Sequence, residues 1–303
     1  MTKVLITTSS YGKFDSEPLD ILTAAGCDVT LNPHKRKLTE DEATELISDF
    51  DYLIAGTEPL TARVLDSAQQ LKGISRCGVG MDNVDQTVCE QKGIQVGNTP
   101  GGPTMAVAEL SLGMMLSLLR HISQMDQELK SGTWNKQMGN LLSQKTVGLI
   151  GFGSIGRAVS RLLAPFDVTV LVYDPYVDST ADLAAYERLV SLEDLLKASD
   201  IISCHSSATT EIIRADLVTQ IKPGAYFVNT SRASAMRESV LIDALKNGTL
   251  AGAALDVFET EPYQGPLADL PNVIMTPHVG SYAKEARIQQ ELRASQNVLD
   301  WLA

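Results

Sequence analysis

One stretch, Thr146 to Asp174, limits the choice of fold more than any other. It reads TVGLIGFGSIGRAVSRLLAPFDVTVLVYD. Val147 to Ile150 is an apolar run of buried-strand length, and Gly151, Gly153 and Gly156 follow at G-x-G-x-x-G spacing. Ile155, Ala158, Val159, Leu162, Leu163 and Phe166 then recur in steps of three and four, the stripe of a helix. Val168 to Tyr173 is a second β-branched run, closed by Asp174. Strand, glycine turn, helix and strand together make a βαβ unit suited to a dinucleotide. Gly151 permits the tight turn, Gly153 lets a pyrophosphate approach the backbone, and Gly156 lets the helix pack close to the strand. The helix N-terminus offers unpaired N–H groups and a partial positive charge. Asp174 lies 18 positions after Gly156, near the ~20 expected for a carboxylate that accepts from ribose hydroxyls. Because a carboxylate there repels a 2′-phosphate, the reading favours NAD over NADP. The alternative for this stretch is an ordinary βαβ turn with no ligand.

A chain of 303 residues is long enough for two domains of ordinary size. A net charge of −12 argues against a nucleic-acid or anionic-membrane partner. The four cysteines, Cys27, Cys77, Cys89 and Cys204, show no C-x-x-C spacing, as expected of reduced thiols in the cytoplasm. No metal-ligand spacing is present. The start, MTKVLITTSS, is too short and too β-like for a signal peptide. The longest apolar region, Met105 to Leu119, contains Glu109 and falls short of the ~20 residues of a bilayer span. It is expected to be a helix buried between domains or subunits.

Strand and helix patterns alternate from one end of the chain to the other, which predicts an α/β protein with open parallel sheets. Strands are expected at Lys3 to Thr8, Asp28 to Leu31, Asp51 to Ala55, Gly73 to Arg76 and Ile94 to Val96. The helices between them include Thr39 to Asp49, opened by Thr39 and Glu42 at capping-box spacing. The turn-rich junction NTPGGP, residues 98–103, marks a domain boundary. A long helix from about Thr104 to Lys130, with a break, leads to the nucleotide fingerprint. Further strands are expected at Asp200 to His205, Ala225 to Asn229, Leu250 to Val257 and Val273 to Met275. A last helix, Ser281 to Leu302, is expected to cross back to the first domain, since the second sheet is already complete.

Ligands of open α/β sheets lie outside the carboxyl ends of the strands. Three strands of the second domain end in Thr230-Ser231-Arg232, in Phe258-Glu259-Thr260-Glu261-Pro262 and in Thr276-Pro277-His278-Val279-Gly280-Ser281. A cation, an anion and a titratable base thus stand toward one edge of one sheet. Singly, Arg232 reads as a surface ion-pair residue, Glu261 as a turn cap and His278 as a loop histidine. Jointly, beside a dinucleotide site, they read as catalytic.

These pieces carry a resemblance. RCGVGMDNVD (76–85), VGNTPGG with AVAEL (96–110), GFGSIG (151–156), VNTSR (228–232), ALDVFETEP (254–262) and TPHVGS (276–281) occur in the order and spacing of the D-isomer-specific 2-hydroxyacid dehydrogenases. The chain looks closest to the 3-phosphoglycerate dehydrogenase branch, without that branch's regulatory C-terminal domain. The resemblance implies a Rossmann NAD-binding domain, 100–280, inserted in a flavodoxin-like substrate-binding domain, 1–99 plus 281–303. It implies that Arg232 holds the substrate carboxylate and polarises the C2 oxygen. His278 would exchange a proton with that oxygen as hydride passes to or from the cofactor, and Glu261 would accept from the other ring nitrogen. Cofactor contacts would come from Gly151, Gly153, Ser154, Ile155, Gly156, Asp174, Thr230, Ser231, Asp256, Gly280 and Ser281, with Asp256 meeting the nicotinamide amide. Arg76, Val79 and Gly80 would bind substrate from the first domain, which implies hinge closure near Pro100 and Gly280. The expected partners are a small 2-hydroxy or 2-keto acid and a second copy of the chain, dimerised through the apolar helix.

The chain departs from the family pattern at several positions. Ala233 follows the arginine where glycine is usual, Pro103 and Ala106 replace an Asn and a Ser, and Ser207 replaces a Pro. The turn Gly56-Thr57-Glu58-Pro59 stands where phosphoglycerate enzymes present an arginine to the phosphate, which weakens that substrate while Arg76 keeps it in play. Trp134 reads equally as a pocket residue from a second subunit and as a core anchor. A reading of a different class is an NAD-sensing binding protein without turnover, like the family's corepressors. The lack of a basic segment argues against it.

Overall fold

The alternation builds two all-parallel sheets, seen here in a computed structural model that describes residues 1–178 and 183–303. The chain divides into two units, Met1–Pro103 with Ser281–Ala303, and Thr104–Gly280.

In the first unit the strands are β1 (Lys3–Ile6), β2 (Asp28–Leu31), β3 (Tyr52–Ala55), β4 (Gly73–Arg76) and β5 (Gln95–Gly97). They lie in the order β2-β1-β3-β4-β5, every pair parallel. Between them run α1 (Glu17–Ala24), α2 (Glu40–Leu46), α3 (Ala62–Ser67) and α4 (Gln86–Lys92). The capping box at α2 forms: Thr39 Oγ1 accepts from Glu42 N at 3.3 Å and Thr39 N donates to Glu42 Oε2 at 2.9 Å. Alternation along the strands splits the core in two. Leu5, Leu53 and Ile74 face α2 and α3 residues such as Ala43, Val64 and Leu65, while Val4, Ile6 and Ile54 face Leu22 and, from the end of the chain, Ala294 and Val298.

The second unit begins with α5 (Thr104–Arg120) and α6 (Ile122–Lys130), bent 64° apart at His121, whose φ is 52°. Met114, Met115, Leu118 and Leu119 of α5 belong to the core of this unit, which explains the apolar composition of the helix. Among the described residues no single helix is long and apolar enough to cross a membrane. The sheet then forms from β6 (Thr146–Ile150), β7 (Thr169–Tyr173), β8 (Glu187–Leu189), β9 (Ile201–Cys204), β10 (Ala225–Asn229), β11 (Leu250–Leu255) and β12 (Val273–Met275), in the order β12-β11-β10-β9-β6-β7-β8. The helices of this unit after α6 are α7 (Ser154–Leu163), α8 (Leu192–Ala198), α9 (Ala215–Val218) and α10 (Glu238–Lys246). Strand order reverses beside β6, which pairs with β7 on one side and β9 on the other. The carboxyl ends at that point are where such sheets hold ligands.

The last helix, α11 (Lys284–Leu302), starts three residues later than its pattern predicts and lies in the first unit. Its Glu291, fully buried, accepts from Gly12 N at 2.9 Å and from Arg287 Nε at 3.0 Å, and Ser295 Oγ lies 2.6 Å from Tyr11 Oη. β8 is the one strand with no signal in the sequence reading. It is a three-residue edge strand, Glu-Arg-Leu, paired to β7, with Leu189 as its one apolar side chain against the core.

Candidate active site

The glycine turn joins β6 to α7. Gly151 has φ +93°, and a Cβ there would meet Ser206 N at 2.6 Å. A Cβ on Gly156 would meet the Gly151 carbonyl oxygen at 2.2 Å, so helix and strand touch backbone to backbone. Gly153 is different: a Cβ there would meet nothing within 4 Å. Its open face precedes Ser154 and Ile155 at the start of a ten-residue helix whose first N–H groups are unpaired within it. At the end of β7, Asp174 accepts from Phe152 N at 2.7 Å and from Tyr176 N at 2.9 Å. Its carboxylate therefore sits over the turn. An open glycine, a helix N-terminus and an acid at the neighbouring strand end fit an NAD molecule with its pyrophosphate on the turn and its ribose at Asp174.

β10, β11 and β12 are neighbours in that order, and each delivers one expected catalytic side chain past its carboxyl end. After β10, Asn229 shapes the turn: its Oδ1 accepts from Ser231 N and Oγ, and its Nδ2 donates to the Arg232 carbonyl at 2.8 Å. Arg232 Nη1 donates to the Ser231 carbonyl at 3.0 Å. Thr230 Oγ1 lies 2.9 Å from Ser111 Oγ of α5.

After β12, His278 adopts a left-handed conformation, φ 53°. Its Nδ1 lies 2.8 Å from Oε2 and 3.1 Å from Oε1 of Glu261, and Glu261 Oε1 also accepts from Phe258 N. The pair is partly open to solvent, with the imidazole about half exposed. With Nδ1 facing a carboxylate, Nε2 is the nitrogen left to meet a substrate.

Asp256, at the end of β11, is buried, and its carboxylate holds the histidine loop. Oδ1 accepts from Thr276 Oγ1 at 2.5 Å and Val279 N at 2.8 Å, and Oδ2 from Gly280 N at 2.8 Å. Sequence reasoning missed His205, which follows β9 beneath the glycine turn. Burial lowers its pKa to about 4, and its Nε2 lies 2.9 Å from Ser203 Oγ. It is neutral at physiological pH. No signal for it was legible in the sequence, since its pattern ran the strand on through His205.

Arg76, Val79 and Gly80 belong to the first unit and Ser281 opens that unit's return segment. Arg76 ends β4, where its Nη1 donates to the Cys77 carbonyl at 2.5 Å and its guanidinium covers Gly78. Gly78 N donates to Thr99 Oγ1 and Asn98 Nδ2 to the Val79 carbonyl, which ties the loop to the junction after β5. Val79 is exposed and Gly80 half-buried. Among the described residues no group of three or more His, Cys, Asp or Glu could hold a metal ion.

The family model for the NAD-binding domain of D-isomer-specific 2-hydroxyacid dehydrogenases matches residues 112–280. A hydroxypyruvate reductase of Thermotoga maritima is 38% identical over 260 residues, 82% of this chain and 84% of that one. A D-3-phosphoglycerate dehydrogenase of Methanocaldococcus jannaschii is 39% identical over 259 residues, 82% of this chain, and the chain spans only about half (49%) of that protein. In structure, the TT0316 protein of Thermus thermophilus superposes with a TM-score of 0.89 at 32% identity, covering 99% of this chain and 97% of that one. With a glycine turn fitted to NAD and a paired imidazole and carboxylate past the strand ends, the chain belongs to the D-isomer-specific 2-hydroxyacid dehydrogenases, an NAD-dependent enzyme family.

Proposed function

We propose that this protein interconverts a small D-2-hydroxy acid and its 2-keto acid by NAD-linked hydride transfer. The observation that carries the reading is the His278–Glu261 pair, 2.8 Å between Nδ1 and Oε2, on a loop clamped by Asp256. When bound, NAD supplies or accepts the hydride. Arg232 holds the substrate carboxylate through its forked N–H groups and polarises the C2 oxygen. His278 gives the proton on Nε2 to that oxygen during reduction and takes it back during oxidation. Glu261 orients the ring and stabilises the imidazolium. Gly151, Gly153, Ser154, Ile155, Gly156 and Asp174 hold the pyrophosphate and ribose, while Thr230, Ser231, Asp256, Gly280 and Ser281 border the nicotinamide end. Arg76, Val79 and Gly80 bind the substrate. The names of the relatives point to small keto acids: hydroxypyruvate, glyoxylate and the keto acid of D-3-phosphoglycerate. The reading includes a homodimer and a cytoplasmic location, the latter supported by four buried, unbridged cysteines.

The test is a panel of glyoxylate, hydroxypyruvate, pyruvate, 2-oxoglutarate and 3-phosphohydroxypyruvate with NADH, followed by loss of the cofactor's absorbance. At least one is expected to turn over. In His278→Ala, turnover is expected to fall by about 100-fold or more, the scale of general acid catalysis, while NADH binding persists by fluorescence titration. A silent panel would favour an NAD-binding protein without turnover, and near-full activity in the variant would remove His278 from the chemistry.

A further inference from the structure

Asn297 places an amide on the face of α11 that closes the core of the first unit. It is 6% exposed and shares that face with Ala294 and Val298. A buried amide costs free energy unless its polar groups are paired. Both N–H groups of Asn297 have an acceptor: Nδ2 donates to Ser75 Oγ in β4 and to the Asn98 carbonyl just past β5, each at 3.1 Å. Gly97 lets the amide come so close, since a Cβ there would meet Asn297 Nδ2 at 3.2 Å and Trp301 of the same helix at 3.1 Å. The bond to Asn98 joins positions 199 residues apart and lies wholly within the first unit.

Asn98 passes the constraint on. Its Nδ2 donates to the Val79 carbonyl at 2.8 Å. Its neighbour Thr99 pairs with Gly78 twice: Thr99 N donates to the Gly78 carbonyl at 3.0 Å, and Thr99 Oγ1 accepts from Gly78 N at 2.8 Å. Two consecutive carbonyl groups of the loop after β4 are therefore held toward the same short segment. In a planar trans peptide the carbonyl and the following N–H point in opposite directions, and neither peptide bond here is cis. The N–H groups of Val79 and Gly80 are thereby both turned away from residues 98 and 99. Successive N–H groups aimed to one side suit an anion such as a carboxylate. With glycine at 78 and at 80, the loop has little conformational preference of its own, so its aim is imposed from outside.

We infer that Asn297 is a positioning residue for the substrate, which acts through Asn98 to aim the N–H groups of Val79 and Gly80 at the substrate carboxylate. This rests on the substrate role proposed for Val79 and Gly80. Asn297 holds Asn98, Asn98 holds Val79, and the last link decides whether two N–H groups can donate to one carboxylate at once. Loss of either link leaves the loop present but unaimed. The carboxylate is then held less well in the ground state and in the transition state alike, which raises KM without lowering kcat.

The experiment measures kcat and KM in the full chain, with NADH saturating, for each keto acid of the panel that turns over, and the NADH dissociation constant alongside. Asn98→Ala and Asn297→Ala are each expected to raise KM about fivefold, the scale of one hydrogen bond. In both, kcat and NADH affinity are expected to stay within about twofold of the wild type, because the cofactor turn belongs to the other unit. The double variant is expected to match the single ones rather than to multiply them, since both act along one path. Asn98 is only half-buried, so its variant removes the last link and leaves α11 intact. An unchanged KM in Asn98→Ala overturns the inference even where Asn297→Ala does not fold. So does a fall in kcat at unchanged KM, an equal loss of NADH affinity, or multiplication of the two effects in the double variant. Failure of every keto acid in the panel instead overturns the reading of the enzyme itself, and the two failures are told apart by whether the wild type consumes NADH at all.

Discussion

Asp174 earns its place through geometry that its identity alone does not supply. Its oxygens accept from Phe152 N and Tyr176 N, so the carboxylate is held at the mouth of the glycine turn rather than swinging free. Asp174→Ala is expected to lower the preference for NAD over NADP by about tenfold or more, since removing a fixed charge abolishes the repulsion of a 2′-phosphate. Dissociation constants for both reduced cofactors check this, and an unchanged ratio would take the ribose away from Asp174. At this scale the legible part of the site was what strand ends disclose. Arg232, Glu261 and His278 could be read because each follows an apolar run by a few residues. The surroundings of Glu58 could not, because its partner Thr7 is 51 residues away and no local pattern announces that a charged residue will be buried. The second job of Asp256 was hidden for a similar reason. The residue looked like a cofactor contact, yet its hydrogen bonds go to a loop 20 to 24 residues further on.

Among the elements, the β6–α7 junction is the least tolerant. A methyl group on Gly156 would press on a backbone oxygen at 2.2 Å that has nowhere to go, whereas one on Gly153 would meet open space. Gly156→Ala is expected to cost about 1–3 kcal/mol of stability, the range for overpacking, and Gly153→Ala to leave the stability of the cofactor-free protein nearly unaltered while weakening NADH binding. Denaturant unfolding of both, alongside NADH titration, checks the contrast; equal destabilisation would refute it. Most elements followed from periodicity, since buried parallel strands are short apolar runs and their helices carry stripes. Boundaries moved where turn geometry decides them. The long apolar helix breaks at His121 because that residue turns left-handed, and α11 starts late because Ser281 to Ala283 remain outside it. The edge strand β8 was illegible because three residues with a single apolar side chain make no period.

For the molecule as a whole, the question is what covers its exposed apolar residues. Trp134, Met138 and Leu141 are 80%, 92% and 70% exposed on a segment without regular structure, close in sequence to Ile122 and Leu129 of α6, which are also exposed. Such concentration on one stretch is what the proposed homodimer would cover. Light scattering after gel filtration is expected to give twice the 32.7 kDa of one chain, and Trp134→Asp combined with Met138→Asp to give the monomer. A wild-type monomer at micromolar concentration would discard the homodimer.

The placement of α11 has a consequence for how the chain comes into being. Val4, Ile6 and Ile54 share their core with Ala294 and Val298, and Tyr11 leans on Ser295. As the polypeptide leaves the ribosome, residues 1–103 emerge with one flank of their sheet still bare. The inserted unit, whose residues are consecutive, has all its pieces before that flank is closed. Residues 1–103 are therefore made before the inserted unit but completed after it, and in the interval their bare flank is the surface that a chaperone would have to shield.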